Sequence, residues 1–492
     1  MFERITPEQA GISSETILGY IKILEESNLN THSLILARGN NIISETHYAP
    51  FDRNFKHRMY SVSKSFVGIA IGLLIDDGKI SLDDKFISYF PEYLTDENCD
   101  EELSEMTIRD TLTMSTCQTV LKNWFYSGTN DRLELYFNKK HKYLSQTIWE
   151  YDSPGSYMLG SIVERITGKP FLDFMKERFL SDIGFSDDAY CIKCPGGHSF
   201  SDSGVMCTTY DLLLFARFVM NNGAWNGKQY MSADYVKDAT SYIVANNHYG
   251  AVSYSTLGYG YHIWQSYDGG FSFLGMGDQL AICDRARDFI MVINSDNQGN
   301  PHSRFLIVHE LYNKIIRKLS DKPLPENKEA YDKLCEYEKT RVLNFAKPVF
   351  ESSFDKEISG KTYILGENPM GIEKFRIDFE DCGGTFYYTN AQGDKKLRFG
   401  YNKNEFQKFP QEGYSDMTAG KPCPGNTYQC AVSANWLEAK KFHIKVQAID
   451  KYFGILDMVF SFKDTRVTVK MEKTAEAFFD EYQGIAIGKT EQ

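Results

Sequence analysis

The sequence lacks a hydrophobic run long enough to cross a bilayer. Its longest apolar stretch, Phe66–Ile75, is interrupted by two glycines and falls far short of the roughly 18 residues that a membrane-spanning helix needs. The first residues, MFERITPEQAGISSETI, have no basic segment followed by an apolar one, as a secretory signal would. We therefore expect a cytoplasmic protein with no membrane partner.

Positive charge is scarce as well. The chain has 54 Lys and Arg against 66 Asp and Glu, which gives a formal net charge of −12. Such a field repels phosphate backbones, so nucleic acid is not an expected partner. The ten cysteines are scattered rather than arranged in a framework, which is typical of reduced thiols. The single CxxC, Cys191–Cys194, has no second pair and indicates a loop with two incidental thiols.

Several common catalytic and binding motifs are also missing. The sequence contains no GxSxG, no HExxH, no phosphate-binding P-loop and no complete GxGxxG. No cluster has the spacing of metal ligands, so we predict neither a metal nor a cofactor. What is present is ordinary globular composition, 42% hydrophobic and 24% charged, with 14% aromatic residues. This excludes disordered and low-complexity architectures and provides for a large core.

The length of 492 residues suggests two or three domains. Helical and strand patterns are mixed over residues 1–320, and a linker with a charged helix covers 321–343. Residues 344–492 consist of short alternating runs with Gly, Asn and Asp turns, which predict an antiparallel sheet or barrel. A helix over Thr474–Tyr482 is expected to cap this C-terminal β-rich domain.

Ser-x-x-Lys is the one candidate nucleophile motif, and it occurs twice, at Ser61–Lys64 and Ser353–Lys356. Ser61 opens a long apolar helix, so Ser61 and Lys64 share one face of its first turn at the positive end of the helix dipole. A desolvated lysine there can lose its proton and act as base for the serine. The alternative is a pair that only caps a core helix. Ser353 precedes no apolar helix and indicates a solvent-facing turn.

Five collinear segments carry a family resemblance over about residues 5–318. Tyr60–Phe66 (YSVSKSF) resembles the nucleophile signature of the serine β-lactamase and penicillin-binding-protein superfamily, and residues 72–93 and 107–115 resemble its next segments. Tyr151-Asp152-Ser153 is similar to its Tyr-x-Asn motif, and residues 203–232 resemble its GGLxSTxxDL stretch. The likeness is greatest to the class C β-lactamase, family VIII esterase and 6-aminohexanoate-oligomer hydrolase branch. It implies an α/β (α+β) β-lactamase-like fold, an antiparallel sheet flanked by helices.

The resemblance also implies roles for individual residues. Ser61 would be the nucleophile, and Lys64 and Tyr151 would move its proton. Ser153 would orient Lys64, although a plain turn serine is equally open, and Tyr151 could instead only pack beside Trp149. The oxyanion would be held by the N–H of Ser61 and by one from the third-motif segment, at Gly277, Asp278 or Gln279. The segment Trp124, Phe125 and Tyr126 would form a pocket wall or simply pack in the core.

Two departures from the family pattern bear on the substrate. Ser153 stands where Asn is usual, and the third-motif segment has no Lys or His to hold a substrate carboxylate. We therefore expect a serine hydrolase acting on a small ester or amide. A D-amino-acid peptidase or weak β-lactamase is the alternative among enzymes, and a non-catalytic scaffold that has kept the fold is the alternative outside them. The substrate and the oligomeric state, a homo-oligomer included, are left open.

Overall fold

The computed structural model describes residues 2–118, 124–138, 141, 143–247, 254–475 and 478–491. The chain forms two compact units. The first consists of Met1–Val342 with Met417–Gly420, and the second of Leu343–Asp416 with Lys421–Gln492. No helix in the described part of the chain is long and apolar enough to cross a membrane.

The first unit combines helices with short and long strands. Its helices are α1 (Ser14–Glu26), α2 (Ser63–Asp76), α3 (Glu101–Glu105), α4 (Ile108–Leu112), α5 (Arg132–Phe137), α6 (Ser153–Thr167), α7 (Phe171–Met175), α8 (Thr209–Met220), α9 (Ala233–Ala239), α10 (Ser303–Glu310) and α11 (Lys328–Lys339). Its strands are β1 (Glu3–Arg4), β2 (Thr31–Arg38), β3 (Asn41–His47), β4 (His57–Arg58), β5 (Tyr190–Cys191), β6 (Val205–Cys207), β7 (Ala224–Trp225), β8 (Lys228–Gln229), β9 (Trp264–Gln265), β10 (Phe271–Gly275), β11 (Gln279–Asp284) and β12 (Phe289–Ser295).

The main sheet of this unit has the strand order β1-β3-β2-β12-β11-β10-β9. All its pairings are antiparallel except that of the two-residue β1 with β3. The β2–β3 hairpin turns at Gly39, whose φ of 59° lies in the left-handed region that glycine adopts without strain. The predicted antiparallel sheet flanked by helices is confirmed.

Helix α2 lies at the centre of the first unit. Every residue from Ser63 to Leu74 is buried, as expected of a helix that is apolar on all sides. Phe66 stacks on Phe215 of α8 with ring centroids 3.8 Å apart. A Cβ on Gly68 would lie 2.7 Å from the carbonyl oxygen of Tyr261, so glycine is what permits this close approach. Helix α2 is therefore closely packed at Phe66 and Gly68.

The charged helix predicted within residues 321–343 is α11, and it packs within the first unit. Leu334 is buried in the same apolar cluster as α1. Glu338 is also buried, where it pairs with Arg4 at 2.5 Å and accepts a hydrogen bond from Ser44 Oγ at 2.6 Å. This helix is thus part of the unit that begins at the N-terminus.

The second unit is a closed β-barrel. It contains α12 (Asp355–Ile358) and the strands β13 (Thr362–Leu365), β14 (Lys374–Glu380), β15 (Gly383–Asn390), β16 (Gly393–Tyr401), β17 (Glu405–Lys408), β18 (Gln429–Glu438), β19 (Lys441–Ile449), β20 (Phe453–Lys463), β21 (Arg466–Ala475) and β22 (Gly484–Thr490). Neighbouring strands pair antiparallel, and a parallel pairing of Gly400 in β16 with Ser433 in β18 closes the sheet. The interior is filled largely by aromatic and aliphatic side chains. The predicted β-rich domain is confirmed.

The helix predicted over Thr474–Tyr482 is wrong. Thr474 and Ala475 end strand β21, a short 3-10 turn covers Asp480–Tyr482, and β22 follows. Strand β22 pairs with both β21 and β13. The end of β21, the 3-10 turn and the start of β22 at Gly484 therefore leave no room for the predicted capping helix.

Candidate active site

Ser61 lies in a 3-10 turn, Tyr60–Val62, that leads directly into α2. Tyr60, the residue before it, has a φ of 46°, a conformation that costs energy for a non-glycine residue and is often found at functional sites. Lys64 is one turn further on and is 1% exposed, whereas Ser61 is partly exposed. Lys64 Nζ donates a hydrogen bond to Ser61 Oγ at 3.1 Å. A hydroxyl open to solvent is thus bound to a buried amine.

Lys64 is held from two further sides. Its Nζ donates to the backbone carbonyl of Asp202 at 2.8 Å and lies 5.1 Å from the centre of the Tyr151 ring. Tyr151 is partly buried and stacks on Trp264 with centroids 5.7 Å apart. The structure therefore brings Ser61, Lys64 and Tyr151 together, three residues that are up to 90 positions apart in the sequence.

Ser153 and Asp152 lie at the start of α6. Ser153 is its first residue and is buried. Asp152 is the N-cap, with Oδ1 accepting from Gly155 N at 2.9 Å and Oδ2 from Thr116 Oγ1 at 3.0 Å. Burial raises the pKa of Asp152 to about 6, although the charge of Lys64 acts in the opposite direction. Asp152 stands between two residues of the motif, but no sequence pattern marks it as an acidic neighbour of Lys64.

We predict that Asp152→Asn stabilises the protein at neutral pH. Below the unfolded pKa of about 3.9 the carboxyl is neutral in both states, and between about pH 4 and 6 the folded state binds more protons. The free energy of unfolding of the wild type therefore decreases as the pH rises through that window, because the folded state binds this proton more tightly than the unfolded state does. Asparagine keeps the N-cap and cannot ionise. We therefore expect the free energy of unfolding of the variant to exceed that of the wild type by about 2 kcal/mol above pH 6. Urea unfolding of both proteins at about pH 4 and pH 8 measures this difference in the free energy of unfolding.

The control for this prediction is Asp131→Asn, at the N-cap of α5, where the carboxyl is only half-buried. This substitution reports the effect of exchanging a less buried N-cap carboxyl for an amide. Equal effects of both substitutions at both pH values would contradict an ionisation penalty at Asp152.

His262 is packed against the other side of the nucleophile helix. It is buried, with Nε2 3.2 Å from Ser156 Oγ and Nδ1 3.3 Å from the carbonyl oxygen of Lys64. Burial, together with the positive charge of Lys64, lowers the pKa of His262 to about 3. This imidazole is therefore neutral at physiological pH and adds no second cation to the site.

The third-motif segment is the hairpin that joins β10 to β11. A Cβ on Gly275, the last residue of β10, would lie 2.5 Å from the carbonyl oxygen of Met59 and 3.3 Å from the Val62 side chain. The end of β10 thus packs directly on the segment that carries Ser61. Gly277 and Asp278 follow in the turn, both with positive φ, and Gln279 opens β11.

The side chains of Asp278 and Gln279 are used to hold this turn. Asp278 accepts from Arg304 Nε at 3.2 Å and from Asn297 Nδ2 at 3.2 Å. Gln279 donates to the carbonyl oxygen of Ser295 at 2.5 Å and accepts from Asn294 Nδ2 at 2.8 Å. Only their backbone groups therefore remain for contact with a substrate.

The three residues expected at a pocket wall lie in different environments. Trp124 is fully buried, and its Nε1 donates to Asp202 Oδ2 at 3.1 Å. Phe125 is partly buried beside Phe200, whereas Tyr126 is 60% exposed. Trp124 is therefore linked to Lys64 through Asp202, a residue that the sequence analysis did not single out.

The second Ser-x-x-Lys has none of these features. Ser353 and Lys356 are both exposed, and Lys356 lies in the four-residue helix α12 of the barrel unit. In the described ranges, no group of His, Cys, Asp and Glu residues could hold a metal ion.

Comparison with known proteins is consistent with this geometry. The 6-aminohexanoate-dimer hydrolase of Paenarthrobacter ureafaciens is 24% identical over 221 residues, which make up 42% of this chain and 56% of that protein. The chain thus matches little more than half the length of this relative. A solved structure from Bacillus anthracis, assigned as a 6-aminohexanoate-dimer hydrolase, has a TM-score of 0.55 at 19% identity and covers 66% of this chain and 89% of its own.

A second solved structure extends over both units. The octameric penicillin-binding protein homologue of Pyrococcus abyssi has a TM-score of 0.50 at 14% identity and covers 96% of this chain and 99% of its own. At these identities the two structures establish the fold alone. The sequence model of the Beta-lactamase family matches residues 22–308, more than half of the chain. The protein therefore belongs to the Beta-lactamase family.

Proposed function

We propose that this protein is a serine hydrolase that cleaves a small amide or ester through an acyl-enzyme on Ser61. The observation that carries the proposal is the 3.1 Å hydrogen bond between the buried Lys64 Nζ and the partly exposed Ser61 Oγ. A serine hydroxyl needs an adjacent base to become an effective nucleophile. A lysine buried beside it, within reach of a tyrosine, supplies that base.

In the first step Ser61 Oγ attacks the substrate carbonyl carbon, and its proton passes to the Lys64–Tyr151 pair. The bond from that carbon to the leaving nitrogen or oxygen then breaks, and the leaving group takes the proton from Tyr151. In the second step water gives a proton to the same pair and attacks the acyl carbon. The carboxylic acid is released as Ser61 regains its proton.

The oxyanion of each tetrahedral intermediate needs backbone donors. In this proposal one donor is the N–H of Ser61, at the positive end of α2. The second is an N–H of the hairpin between Gly275 and Gln279, whose first residue packs on the Ser61 segment. Each such donor contributes a few kcal/mol to transition-state stabilisation.

The family relatives support hydrolysis as the reaction class. The Paenarthrobacter ureafaciens relative is named for hydrolysing 6-aminohexanoate dimer. The hairpin of the present chain has neither Lys nor His over residues 271–279, and the guanidinium of Arg304 beside it is bound to Asp278 and to the carbonyl oxygen of Gly275. Neutral amides and esters are therefore the first substrates to test, ahead of penicillins and D-Ala-D-Ala peptides.

Intact mass after exposure to a fluorophosphonate probe tests the nucleophile. We expect one adduct, which peptide sequencing maps to Ser61 and which is absent in Ser61→Ala. Ser353→Ala is the matched control, because Ser353 begins the second Ser-x-x-Lys in an exposed turn, and this variant should be labelled like the wild type. No adduct under conditions that label a control hydrolase would contradict the proposal and favour a non-catalytic binding protein.

A further inference from the structure

The hairpin turn between β10 and β11 has three backbone N–H groups that bind none of the residues the structure describes. They belong to Met276, Gly277 and Asp278. Met276 is 36% exposed, so solvent reaches the turn, whereas Gly277 and Asp278 are buried. Backbone N–H groups without a partner are rare at buried positions, and successive free N–H groups in a turn form a concave site for an anion. The turn is therefore equipped to bind a negatively charged oxygen.

The carbonyl groups of the same peptides are all held from outside the turn. The carbonyl oxygen of Gly275 accepts from Arg304 Nη2 at 2.9 Å. The next two carbonyl oxygens along the chain accept from Gln279 Nε2 at 3.1 Å and from the N–H of Asn297 at 3.1 Å. In a planar trans peptide the C=O of one residue and the N–H of the next point in opposite directions. Holding these carbonyl groups therefore fixes the directions of the three N–H groups.

Arg304, in α10, contacts both ends of the turn. Besides binding the carbonyl oxygen of Gly275, it donates from Nε to Asp278 Oδ1 at 3.2 Å. The Asp278 side chain is 4% exposed, and its Oδ2 accepts from Asn297 Nδ2 at 3.2 Å. Asp278 has a φ of 67°, which is uncommon for a residue other than glycine. A planar guanidinium has its donors in a fixed fork, so it holds both acceptors in one geometry.

We propose that Arg304 is a positioning residue of the Ser61 site, which keeps the N–H groups of this turn aligned as the second oxyanion donor. This inference rests on the proposed function, because the oxyanion arises in that reaction. The turn follows Gly275, whose backbone packs on the segment Met59–Val62 that carries Ser61. Arg304 needs no contact with the substrate, since its effect passes through the peptide groups that it binds.

A cavity of about 620 Å³ borders the turn, and Arg304 lines it together with Met276 and Phe305. A direct role of Arg304 in substrate binding is therefore the alternative. The ion pair with the carboxylate of Asp278 balances the charge of the guanidinium, which favours the positioning role. The two roles differ in kinetics, because loss of uniform substrate binding raises KM, whereas loss of an interaction made in the transition state lowers kcat.

The test is the steady-state hydrolysis of p-nitrophenyl acetate by Arg304→Ala. We expect kcat to fall by about 10^2-fold, as it does when one oxyanion donor is lost, with little change in KM. Arg304→Lys, which keeps the charge but not the fork, should lose less than Arg304→Ala. Added guanidinium ion should restore much of kcat in Arg304→Ala, and methylammonium ion should restore less, because it lacks the planar fork.

Two control variants separate this role from cavity shape and from general stability. Phe305→Ala changes the same cavity wall without touching the turn and should alter KM while keeping kcat. Arg38→Ala removes a guanidinium that binds the carbonyl oxygens of Ala10 and Ser320, so it should lower the melting temperature and keep kcat. Wild-type kcat in Arg304→Ala, or a loss of kcat that guanidinium ion does not restore, would overturn the inference. A raised KM with unchanged kcat would make Arg304 a substrate-binding residue instead.

A second readout separates this inference from the proposed function. The backbone amide signal of Met276, observed with 15N-methionine and assigned by its loss in Met276→Leu, reports on the turn whether or not any substrate is hydrolysed. We expect this signal to shift in Arg304→Ala and to return towards its wild-type position with guanidinium ion. A wild-type protein that the fluorophosphonate probe does not label anywhere contradicts the proposed function. An unchanged Met276 signal in Arg304→Ala contradicts the role of Arg304.

Discussion

Ser61→Ala is expected to lower kcat/KM by about 10^4-fold or more on any ester or amide that the wild type hydrolyses. The substitution removes the attacking oxygen and leaves no acyl-enzyme to form. Lys64→Met should lower kcat/KM by a comparable factor, because two residues that act as one unit lose most of their effect when either is removed. Steady-state rates on a panel of p-nitrophenyl esters and amino-acid amides measure both.

The two single variants and their double variant form a double-mutant cycle, which measures the coupling between Ser61 and Lys64. If Ser61 and Lys64 act together across their 3.1 Å contact, the double variant should be no slower than Ser61→Ala alone. Ser353→Ala should keep the wild-type rate. A Ser61→Ala protein that retains full activity on every substrate would contradict the proposal, since another group would then be the nucleophile.

The pairing of Ser61 with Lys64 could be predicted because it is local. Residues three apart in the first turn of a helix face the same way, and the apolar run that follows indicates a buried helix. The contacts of Asp202 with Lys64 and Trp124 could not be predicted in this way. Its approach to Lys64 joins positions 138 apart, and its link to Trp124 joins positions 78 apart, so both depend on the packing of the whole unit.

The error at the C-terminal end of the barrel has a definite physical origin. Phe478, Phe479 and Tyr482 stand at positions i, i+1 and i+4, a spacing that is compatible with one face of a helix. In the structure all three are buried in the aromatic cluster of the barrel, and Tyr482 donates to Gln411 Oε1 at 3.1 Å. A short apolar turn that fills one end of a barrel has the same periodicity as one face of a helix, and only strand pairing distinguishes them.

The Beta-lactamase fold alone leaves the chemistry of Tyr151 undecided. Its ring stacks on Trp264 and faces Lys64, an arrangement that serves packing as well as proton transfer. The hydroxyl group distinguishes the two, because packing needs only the ring. A substitution that deletes this one oxygen therefore decides between a catalytic residue and an aromatic that fills space.

Tyr151→Phe is expected to lower kcat by about 10^2- to 10^4-fold, the usual contribution of a positioned acid or base. The melting temperature should change little, since the phenyl ring keeps its contacts with Trp264. Tyr259→Phe is the matched control: Tyr259 packs against Trp264 at 4.9 Å, and its buried hydroxyl has no hydrogen-bond partner in the described part of the chain. That variant should keep the wild-type kcat and be at least as stable. If Tyr151→Phe also keeps the wild-type kcat while Lys64→Met does not, the proton that Lys64 accepts must reach the leaving group without passing through Tyr151.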